Sequence, residues 1–256
     1  MPWLFSFFNY NPFTYITIMK AGIFTTTIED IQDIGIQDTR HFRLSFPAGT
    51  LFDFDAGQFL NILIPTPEKV VKRSYSIASP PQWAAQGKLD LCWKRVPGGF
   101  ATNYLWELKK GDKLEIQGPL GRFTPKKPLP QTIVFVSTGT GIAPFRSMIH
   151  DLIAKKEPVN LWNIFGNRFE EDVLYKEEFE ELARQNTNLK NIFTVSRPKT
   201  WKGETEYVQH LLKKHIAVSA GTHIFICGLS NMIKEVESTA LEMGFSKEQI
   251  FFEKYD

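Results

Sequence analysis

One stretch of the chain, residues 133–148, limits the possible folds more than any other. It reads IVFVSTGTGIAPFRSM: an apolar run, a turn with two glycines, and a helical pattern that contains Pro144 in its first turn. Consecutive β-favouring residues are typical of a buried parallel strand, and proline is tolerated where a helix begins because its missing N–H is not needed there. The free amides at such a helix N-terminus would face an anion, so the stretch predicts a phosphate-binding turn.

The common dinucleotide-binding fingerprint, GxGxxG, is absent from this turn. Pro144 stands in place of the third glycine, and the next apolar run, residues 159–165, is followed by Gly-Asn-Arg instead of an acidic residue. A glycine turn after a strand can also be purely structural. The phosphate-binding interpretation therefore depends on companion motifs elsewhere in the chain.

The hydrophobic pattern divides the chain into two regions. Residues 22–118 predict short strands and turns, interrupted by one helix at 102–110, as in an antiparallel β-barrel. From Thr132 onward strands and helices alternate, which predicts a parallel sheet with helices on both faces. Three prolines within residues 124–130 mark the boundary. We therefore expect an N-terminal extension, a barrel domain and an α/β domain at residues 1–20, 21–124 and 125–256.

Composition narrows the class of protein. A hydrophobic content of 43%, a charged content of 23% and a formal charge of +2 are those of a soluble globular protein and argue against nucleic acid as a partner. Cys92 and Cys227 are far apart, and the five histidines form no metal-binding pattern, so we expect no metal site. Redox chemistry would need an organic cofactor, and two isolated cysteines fit a reducing cytoplasm.

Residues 1–18 are aromatic and uncharged but lack a basic n-region and are interrupted by Asn and Pro. We expect neither a signal peptide nor a transmembrane segment there. The extension is expected to be loosely ordered or packed on the surface, with a weak membrane or partner contact as the alternative.

Two further motifs lie in the barrel region. Arg73-Ser74-Tyr75-Ser76 falls on a predicted strand, so that Arg73 and Tyr75 share one face. A glycine pair, Gly98-Gly99, precedes a helix in which Thr102 can cap or can donate to an oxygen. The second motif predicts another anion site.

In order and spacing these motifs resemble those of the ferredoxin NADP reductase family, over residues 22–255. The matching segments are Arg73-x-Tyr75-Ser76, Gly98-Gly99-x-x-Thr102, Gly118-Pro119-x-Gly121-x-Phe123, Thr138-Gly139-Thr140-Gly141-Ile142-Ala143-Pro144 and Cys227-Gly228. The resemblance implies a barrel that binds FAD and an α/β domain that binds NADPH, with NADH possible.

For the barrel, the resemblance implies that Tyr75 stacks on the isoalloxazine and that Ser76 bonds near its reactive nitrogen. Because alternation sends these two side chains to opposite faces, the flavin must lie along a strand edge or bend. The pyrophosphate would be held by Arg73 and the helix N-terminal turn. The implied cofactor-binding residues are Arg73, Ser74, Tyr75, Ser76, Gly98, Gly99, Phe100, Ala101 and Thr102.

For the α/β domain, the resemblance implies that the nucleotide pyrophosphate binds at Thr138, Gly139, Thr140, Gly141 and Pro144. Cys227, followed by Gly228, would lie beside the nicotinamide C4, although a Cys that ends an apolar strand is often only a core residue. A terminal aromatic, Tyr255, would cover the flavin, and a carboxylate, Glu253, would lie near the nicotinamide. The implied catalytic residues are thus Cys227, Ser76, Glu253 and Tyr255. Asp256 departs from the family ending, and Tyr255 can alternatively be an exposed terminal residue.

Ser196, Arg197 and Tyr207 correspond to residues that surround the 2′-phosphate in NADP-specific relatives. A lysine of those relatives is replaced here by Thr205. The resemblance therefore implies a moderate NADPH preference; the alternative is that Arg197 pairs with a surface carboxylate.

These expectations together describe a monomeric flavoprotein oxidoreductase that passes electrons from NADPH through FAD to ferredoxin, flavodoxin or a similar small carrier. The alternative is an NADH-dependent reductase component or subunit of an oxygenase or other redox complex. A non-enzymatic scaffold would leave both anion sites without a purpose. Basic residues compatible with docking an acidic carrier are Lys72, Lys94, Arg95, Lys109, Lys110, Lys126 and Lys127.

Overall fold

The computed structural model describes residues 21–35 and 38–255. The expected N-terminal extension, residues 1–20, lies outside the described residues. Within the described ranges, no helix is both long and apolar enough to cross a membrane.

The first region forms a six-stranded antiparallel sheet, as predicted. An isolated bridge between Ile77 and Leu91 links the two edge strands, so the sheet curls into a barrel that remains open along most of one edge. The strands are β1 (Gly22–Asp33), β2 (Thr39–Ser45), β3 (Phe59–Pro65), β4 (Val70–Ser76), β5 (Lys88–Lys94) and β6 (Lys113–Leu120), in the sheet order β4-β3-β6-β1-β2-β5.

Two helical segments interrupt the barrel, α1 (Pro81–Ala84) and α2 (Phe100–Glu107). The sequence did not predict α1, and the prediction of residues 102–110 for α2 was wrong at both ends. The helix begins directly after Gly99 and ends before Leu108, whose backbone is extended and whose side chain packs on the barrel core. Burial of Leu108 thus outweighs the helical propensity of the lysines that follow. Strand β6 includes Gly118, which faces Leu60 closely.

The second region is a five-stranded parallel sheet, in the order β11-β10-β7-β8-β9. Its strands are β7 (Thr132–Thr138), β8 (Asn160–Asn167), β9 (Leu189–Val195), β10 (Thr222–Gly228) and β11 (Ile250–Lys254), and its helices are α3 (Ile142–Ala154), α4 (Lys176–Gln185), α5 (Val208–His215) and α6 (Ser230–Met243).

The central strand β7 shows why helices cover both faces of this sheet. Ile133 and Phe135 pack in one core with residues of α3 and α4, whereas Val134 and Val136 pack in a second core with α5 and α6. The continuous apolar run in the sequence therefore reflects burial on both faces, as predicted.

Residues 121–131 connect the barrel sheet to the parallel sheet. Phe123 packs against Phe145 and Phe225, with ring centroids 6.0 and 5.4 Å away. The expected boundary at 124/125 falls in this connection, although the domain limits themselves stay a prediction.

A buried carboxylate on β5 joins the two regions. Asp90 Oδ1 accepts from Arg43 Nε at 2.9 Å, and Asp90 Oδ2 lies 3.3 Å from His41 Nε2 and 3.2 Å from Arg146 Nη1. Burial acts to raise the pKa of Asp90, but the hydrogen bonds of His41 and Arg43 and the charge of Arg146 outweigh it, so this pKa lies well below its usual range. The ionised carboxylate therefore holds α3, which carries Arg146, against the barrel.

Gly57 and Gly49 are a matched pair for testing how closely the barrel packs on the connection and α3. Both have positive φ, 101° and 79°. A Cβ on Gly57 would lie inside van der Waals contact of Phe123 O and Met148 Cε, whereas one on Gly49 would meet nothing within 4 Å.

We predict that Gly57→Ala lowers the free energy of unfolding by about 1–3 kcal/mol more than Gly49→Ala does. Both variants carry the backbone strain of a positive φ, and only the first adds overpacking. Urea unfolding of the parent and both variants measures the difference. Equal losses would mean that Phe123 and Met148 move aside freely.

Candidate active site between the two domains

Strand β4 lies at the open edge of the barrel sheet, and among the described strands it pairs along its length with β3 alone. Tyr75 packs on the barrel core, and burial raises its pKa to about 12. The Ser76 hydroxyl instead donates to Glu253 Oε1 at 2.7 Å, across the domain interface. The two side chains thus lie on opposite sides of an edge strand, which is the geometry that their expected flavin roles require.

Arg73 and Ser74 are both exposed on β4. Among the described residues the Arg73 guanidinium has no carboxylate partner, and it donates to the Lys72 carbonyl at 2.9 Å. The Ser74 hydroxyl donates to Asn61 Oδ1 at 2.8 Å. Arg73 can therefore still bind an anion, whereas the hydroxyl of Ser74 is engaged with β3.

The turn before α2 is shaped by the hydroxyl of Thr102. This oxygen accepts from Val96 N–H at 3.0 Å and can donate to Val96 O at 3.2 Å. Gly98 has φ 73°, a left-handed conformation with open space where a Cβ would stand. The first amides of α2 have no acceptor within the helix. Because the Thr102 side chain is engaged inside the turn, the backbone amides are the donors that the turn offers to a phosphate.

These residues fit FAD. The diphosphate would meet the guanidinium of Arg73 and the amides at the start of α2, and both are kinds of group that bind phosphate well. The ring would lie along the open edge of β4, beside Tyr75.

In the α/β domain, β7 leads into a 3-10 turn, Gly139–Gly141, and then into α3. Gly139 has φ 55° and open space at its Cβ position. A Cβ on Gly141 would lie inside van der Waals contact of the Cys227 carbonyl. The turn therefore packs directly on the end of β10, and Pro144 lies in the first turn of α3 as predicted.

Residues of both domains meet at the ends of β4, β10 and β11. Besides the Ser76–Glu253 hydrogen bond, Tyr255 N–H donates to Gly228 O at 2.9 Å, which fixes the chain end beside β10. Burial raises the pKa of Glu253, and the hydrogen bond from Ser76 acts in the opposite direction. The sequence-predicted catalytic residues Ser76, Cys227, Glu253 and Tyr255 are thus brought together.

Tyr255 covers the Cys227 thiol. Cys227 is 0% exposed, and burial raises the pKa values of the Cys227 thiol and the Tyr255 phenol well above their ordinary values. The buried Tyr255 hydroxyl has no well-formed hydrogen bond among the described residues. Tyr255 is therefore not an exposed terminal residue, and a nicotinamide could reach Cys227 only if the Tyr255 ring moved away.

Ser196 and Arg197 follow β9, next to the residues that follow β8. Ser196 N–H donates to Asn167 O at 3.0 Å, and Arg197 N–H donates to Arg168 O at 2.8 Å. The side chains of Arg168 and Arg197 are exposed and have no carboxylate partner in the described part of the chain. Tyr207, at the start of α5, is 63% exposed. The guanidinium groups of Arg168 and Arg197, which have no carboxylate partner among the described residues, therefore follow two neighbouring strands.

Glu170 braces the loop that carries Arg197. Its Oε1 accepts from Thr200 N–H at 2.6 Å and from Lys199 N–H at 3.1 Å. These bonds, the one from Thr200 N–H most of all, lower the pKa of Glu170 to about 2. The loop is thus fixed by a carboxylate that does not compete for the Arg197 guanidinium.

The two regions match two family models, the oxidoreductase FAD-binding domain over residues 25–124 and the oxidoreductase NAD-binding domain over residues 135–238. A curated relative, ferredoxin–NADP reductase B of Sorangium cellulosum, is 40% identical over 216 residues, which are 81% of this chain and 88% of the relative. The chain belongs to the ferredoxin–NADP reductase family. Its cofactors are therefore FAD and a nicotinamide nucleotide, as the resemblance implied.

Two further proteins are similar to this chain. The phenol hydroxylase P5 protein of Acinetobacter pittii is 31% identical over 208 residues, and the chain spans 58% of its length. The crystal structure of a ferredoxin NADP+ reductase from Neisseria gonorrhoeae with bound FAD and NADP has the same fold, with a TM-score of 0.80 at 21% identity over 91% of this chain and 98% of that one.

Two features of the site were not predicted from the sequence, the position of Arg168 and the shielding of Cys227. Arg168 directly follows β8, and the pairing of β8 with β9 places it beside Arg197. Parallel pairing of successive strands could have suggested that neighbourhood. The position of Tyr255 over Cys227 has no local sequence signal, because it depends on how β10 and β11 align.

Glu253 gives a pH-dependent prediction. Because burial raises its folded pKa, its contribution to stability is present below the ordinary glutamate pKa of 4.5 and is lost as the pH rises through the folded value. We predict that Glu253→Gln removes this loss of stability. Between about pH 4.5 and pH 7, the melting temperature of the variant apoprotein should therefore fall less than that of the parent.

The matched control is Glu235→Gln, an exposed change of the same charge on α6. It should follow the parent profile. Parallel profiles of parent and Glu253→Gln would contradict a raised pKa at Glu253.

Proposed function

We propose that this enzyme oxidises NADPH and passes the electrons singly to a small carrier, a ferredoxin or a flavodoxin. When bound, FAD supplies the chemistry that accepts a hydride, with its two electrons, and releases electrons one at a time. The proposal is carried by the convergence of Ser76 with Glu253, Cys227 and Tyr255 where the two domains meet. The similarity to ferredoxin–NADP reductase B of Sorangium cellulosum supports the choice of acceptor class.

On the barrel side, Arg73 and the first amides of α2 would hold the FAD diphosphate. Tyr75 would support the ring, and the Ser76 hydroxyl would lie beside its reactive nitrogen. In this structure that hydroxyl donates to Glu253. Ser76 can thus connect a buried carboxyl to the reacting edge of the ring, because a hydroxyl both donates and accepts.

On the nucleotide side, the turn at Thr138 to Gly141 would receive the pyrophosphate. The nicotinamide would displace the Tyr255 ring and then lie over Cys227. Glu253 stays close to that place, and its raised pKa makes its carboxyl a better proton carrier near neutral pH than an ordinary glutamate.

The choice of NADPH rests on two arginines. A charge-assisted hydrogen bond contributes about 1.5–3 kcal/mol, which corresponds to about 10- to 150-fold in affinity. Arg197 and Arg168 lack carboxylate partners among the described residues and start from adjacent strand ends. Arg168 can therefore supply the second cation that NADP-specific relatives place at the position of Thr205.

The second candidate is an NADH-dependent reductase component of an oxygenase system. It is favoured by Thr205 and by the similarity to the phenol hydroxylase P5 protein. The nucleotide preference and the acceptor separate the candidates. Reduction of purified ferredoxin or flavodoxin by NADPH supports the first, and efficient turnover only with NADH and an oxygenase supports the second.

We predict that the parent has a higher kcat/KM with NADPH than with NADH, and that Arg197→Ala and Arg168→Ala each lower the NADPH value by about 10-fold or more while sparing NADH. Thr205→Lys should sharpen the preference. The assay uses the FAD-loaded enzyme with ferricyanide as acceptor, so that no protein partner is needed.

Lys190→Ala is the control, since Lys190 is an exposed cation near the opposite end of β9. It should leave both values unchanged. A parent that uses NADH better than NADPH would overturn the proposed preference, and an Arg168→Ala variant with parent values would remove Arg168 from the site.

Tyr255 provides a separate prediction about binding. If the nicotinamide must displace this ring, Tyr255→Ser should lower the Kd of NADP+ by about 2- to 10-fold, because a stacked aromatic contact is worth roughly 0.5–1.5 kcal/mol beyond its buried area. Titration of the oxidised enzyme by difference spectroscopy measures the Kd. Phe252→Ser, which alters a 43% exposed aromatic on β11, should have no such effect. Unchanged affinity in Tyr255→Ser would show that the ring is no barrier.

A further inference from the structure

Arg146 is a buried charge that the proposed chemistry does not use. It lies on α3 and is only 4% exposed. Its Nη1 donates to Ala78 O at 3.0 Å and lies 3.2 Å from Asp90 Oδ2. Its Nε donates to Glu178 Oε1 at 2.8 Å. The Arg146 guanidinium thus binds two acceptors of the barrel, Ala78 O and Asp90 Oδ2, and a carboxylate of α4.

On the barrel side, the acceptors of Arg146 belong to the strand end that carries Ser76. Ala78 is the second residue after Ser76, and its N–H donates to Asp90 O at 2.8 Å. Arg146 therefore binds the Ala78 carbonyl. It also binds the side chain of Asp90, whose backbone carbonyl accepts from the Ala78 amide. Movement of this guanidinium would shift the Ser76 segment.

On the nucleotide side, the same helix begins next to the phosphate-binding turn. The turn residue Gly141 packs directly against the Cys227 carbonyl. Arg146 follows Gly141 by little more than one turn of α3. A short rigid segment therefore connects the Cys227 end of β10 to the Arg146 side chain.

Other contacts fix the orientation of Arg146. Its guanidinium carbon lies 4.8 Å from the ring centre of Tyr175 and 5.4 Å from that of Trp83. Glu178 accepts from Arg146 and lies 2.5 Å from His150 Nε2. Planar stacking combined with a fork of donors is specific to arginine, and lysine cannot reproduce it.

A buried ion pair is weak grounds for inferring stability, because desolvation offsets much of its attraction. The contacts of Arg146 on both sides of the domain interface indicate a role in positioning. Hydride transfer needs the nicotinamide and the flavin held in a near-attack arrangement. We propose that Arg146 is a positioning residue that sets the distance between the Ser76 segment and the Cys227 segment, and hence between the two cofactors. The inference rests on the proposed hydride transfer from NADPH to FAD, in which the hydride leaves the nicotinamide C4 with two electrons, NADP+ is released and the flavin is reduced.

The experiment compares the FAD-loaded parent, Arg146→Lys and Arg146→Leu in stopped-flow reduction by NADPH. We expect the limiting rate of flavin reduction to fall about 10-fold or more in both variants, because small misplacement of reacting groups has large effects on rate. The Kd for NADP+ should change less than about threefold, because neither the phosphate turn nor the arginines at the strand ends is altered.

Gln82→Ala is the matched control. Its parent side chain donates to Asp151 Oδ1 at 2.6 Å, another contact between α1 and α3 that does not involve the Ser76 segment. It should reduce at the parent rate. If Arg146→Leu does not fold, Arg146→Lys carries the test.

Thermal unfolding of the apoproteins gives a readout without cofactors. The parent should unfold in one transition, and the Arg146 variants should unfold in two or in one broadened transition because the domains become uncoupled. Flavin reduction at the parent rate, or a Kd that rises in parallel with the loss of rate, would overturn the inference. A parent that NADPH does not reduce at all would instead overturn the proposed function.

Discussion

The arrangement of the site depends on the ionised carboxylate of Asp90, which is buried where the barrel meets the parallel sheet. An isolated buried carboxylate would cost several kcal/mol, so it persists because Arg43, Arg146 and His41 surround it. Two of these partners belong to the barrel and one to α3. Removing Arg43 or Arg146 would leave the buried carboxylate of Asp90 less well compensated. The ion cluster therefore specifies how the domains pack, beyond what their apolar contacts require.

That packing matters because neither domain alone contains all residues of the proposed site. The barrel supplies Ser76 on an edge strand, and the parallel sheet supplies Cys227, Glu253 and Tyr255 at strand ends. Carboxyl ends of parallel strands are where open α/β sheets bind ligands. The open edge of the barrel sheet meets that end of the parallel sheet through the Ser76–Glu253 hydrogen bond. We propose that the distance between the two cofactors is set by packing remote from the reacting atoms.

Much of the fold could be predicted from local sequence signals, whereas the contacts between domains could not. The apolar run of β7 and its glycine turn predicted a strand, a turn and a helix because each signal acts over a few residues. The end of α2 was misplaced because burial of Leu108 decides it. Arg146 reads as an ordinary helical residue, and only the folded chain shows that its neighbours are a barrel carbonyl and a barrel carboxylate. Thr102 lies in the first turn of α2 and bonds back to Val96, which its position in the sequence does not reveal.

The terminal segment sets the remaining constraint on function. Tyr255 is fixed to β10 by one backbone hydrogen bond, and its hydroxyl is buried without a well-formed partner among the described residues. An unsatisfied buried hydroxyl costs about 1–3 kcal/mol, which offsets part of what the ring gains by covering Cys227. The covered arrangement is therefore only moderately favourable, and under the proposed function a nucleotide held by its phosphates at the α3 turn would displace the ring. Shielding of Cys227 and access for the nicotinamide would then be compatible, because the phosphate contacts would offset the loss of the closing contact.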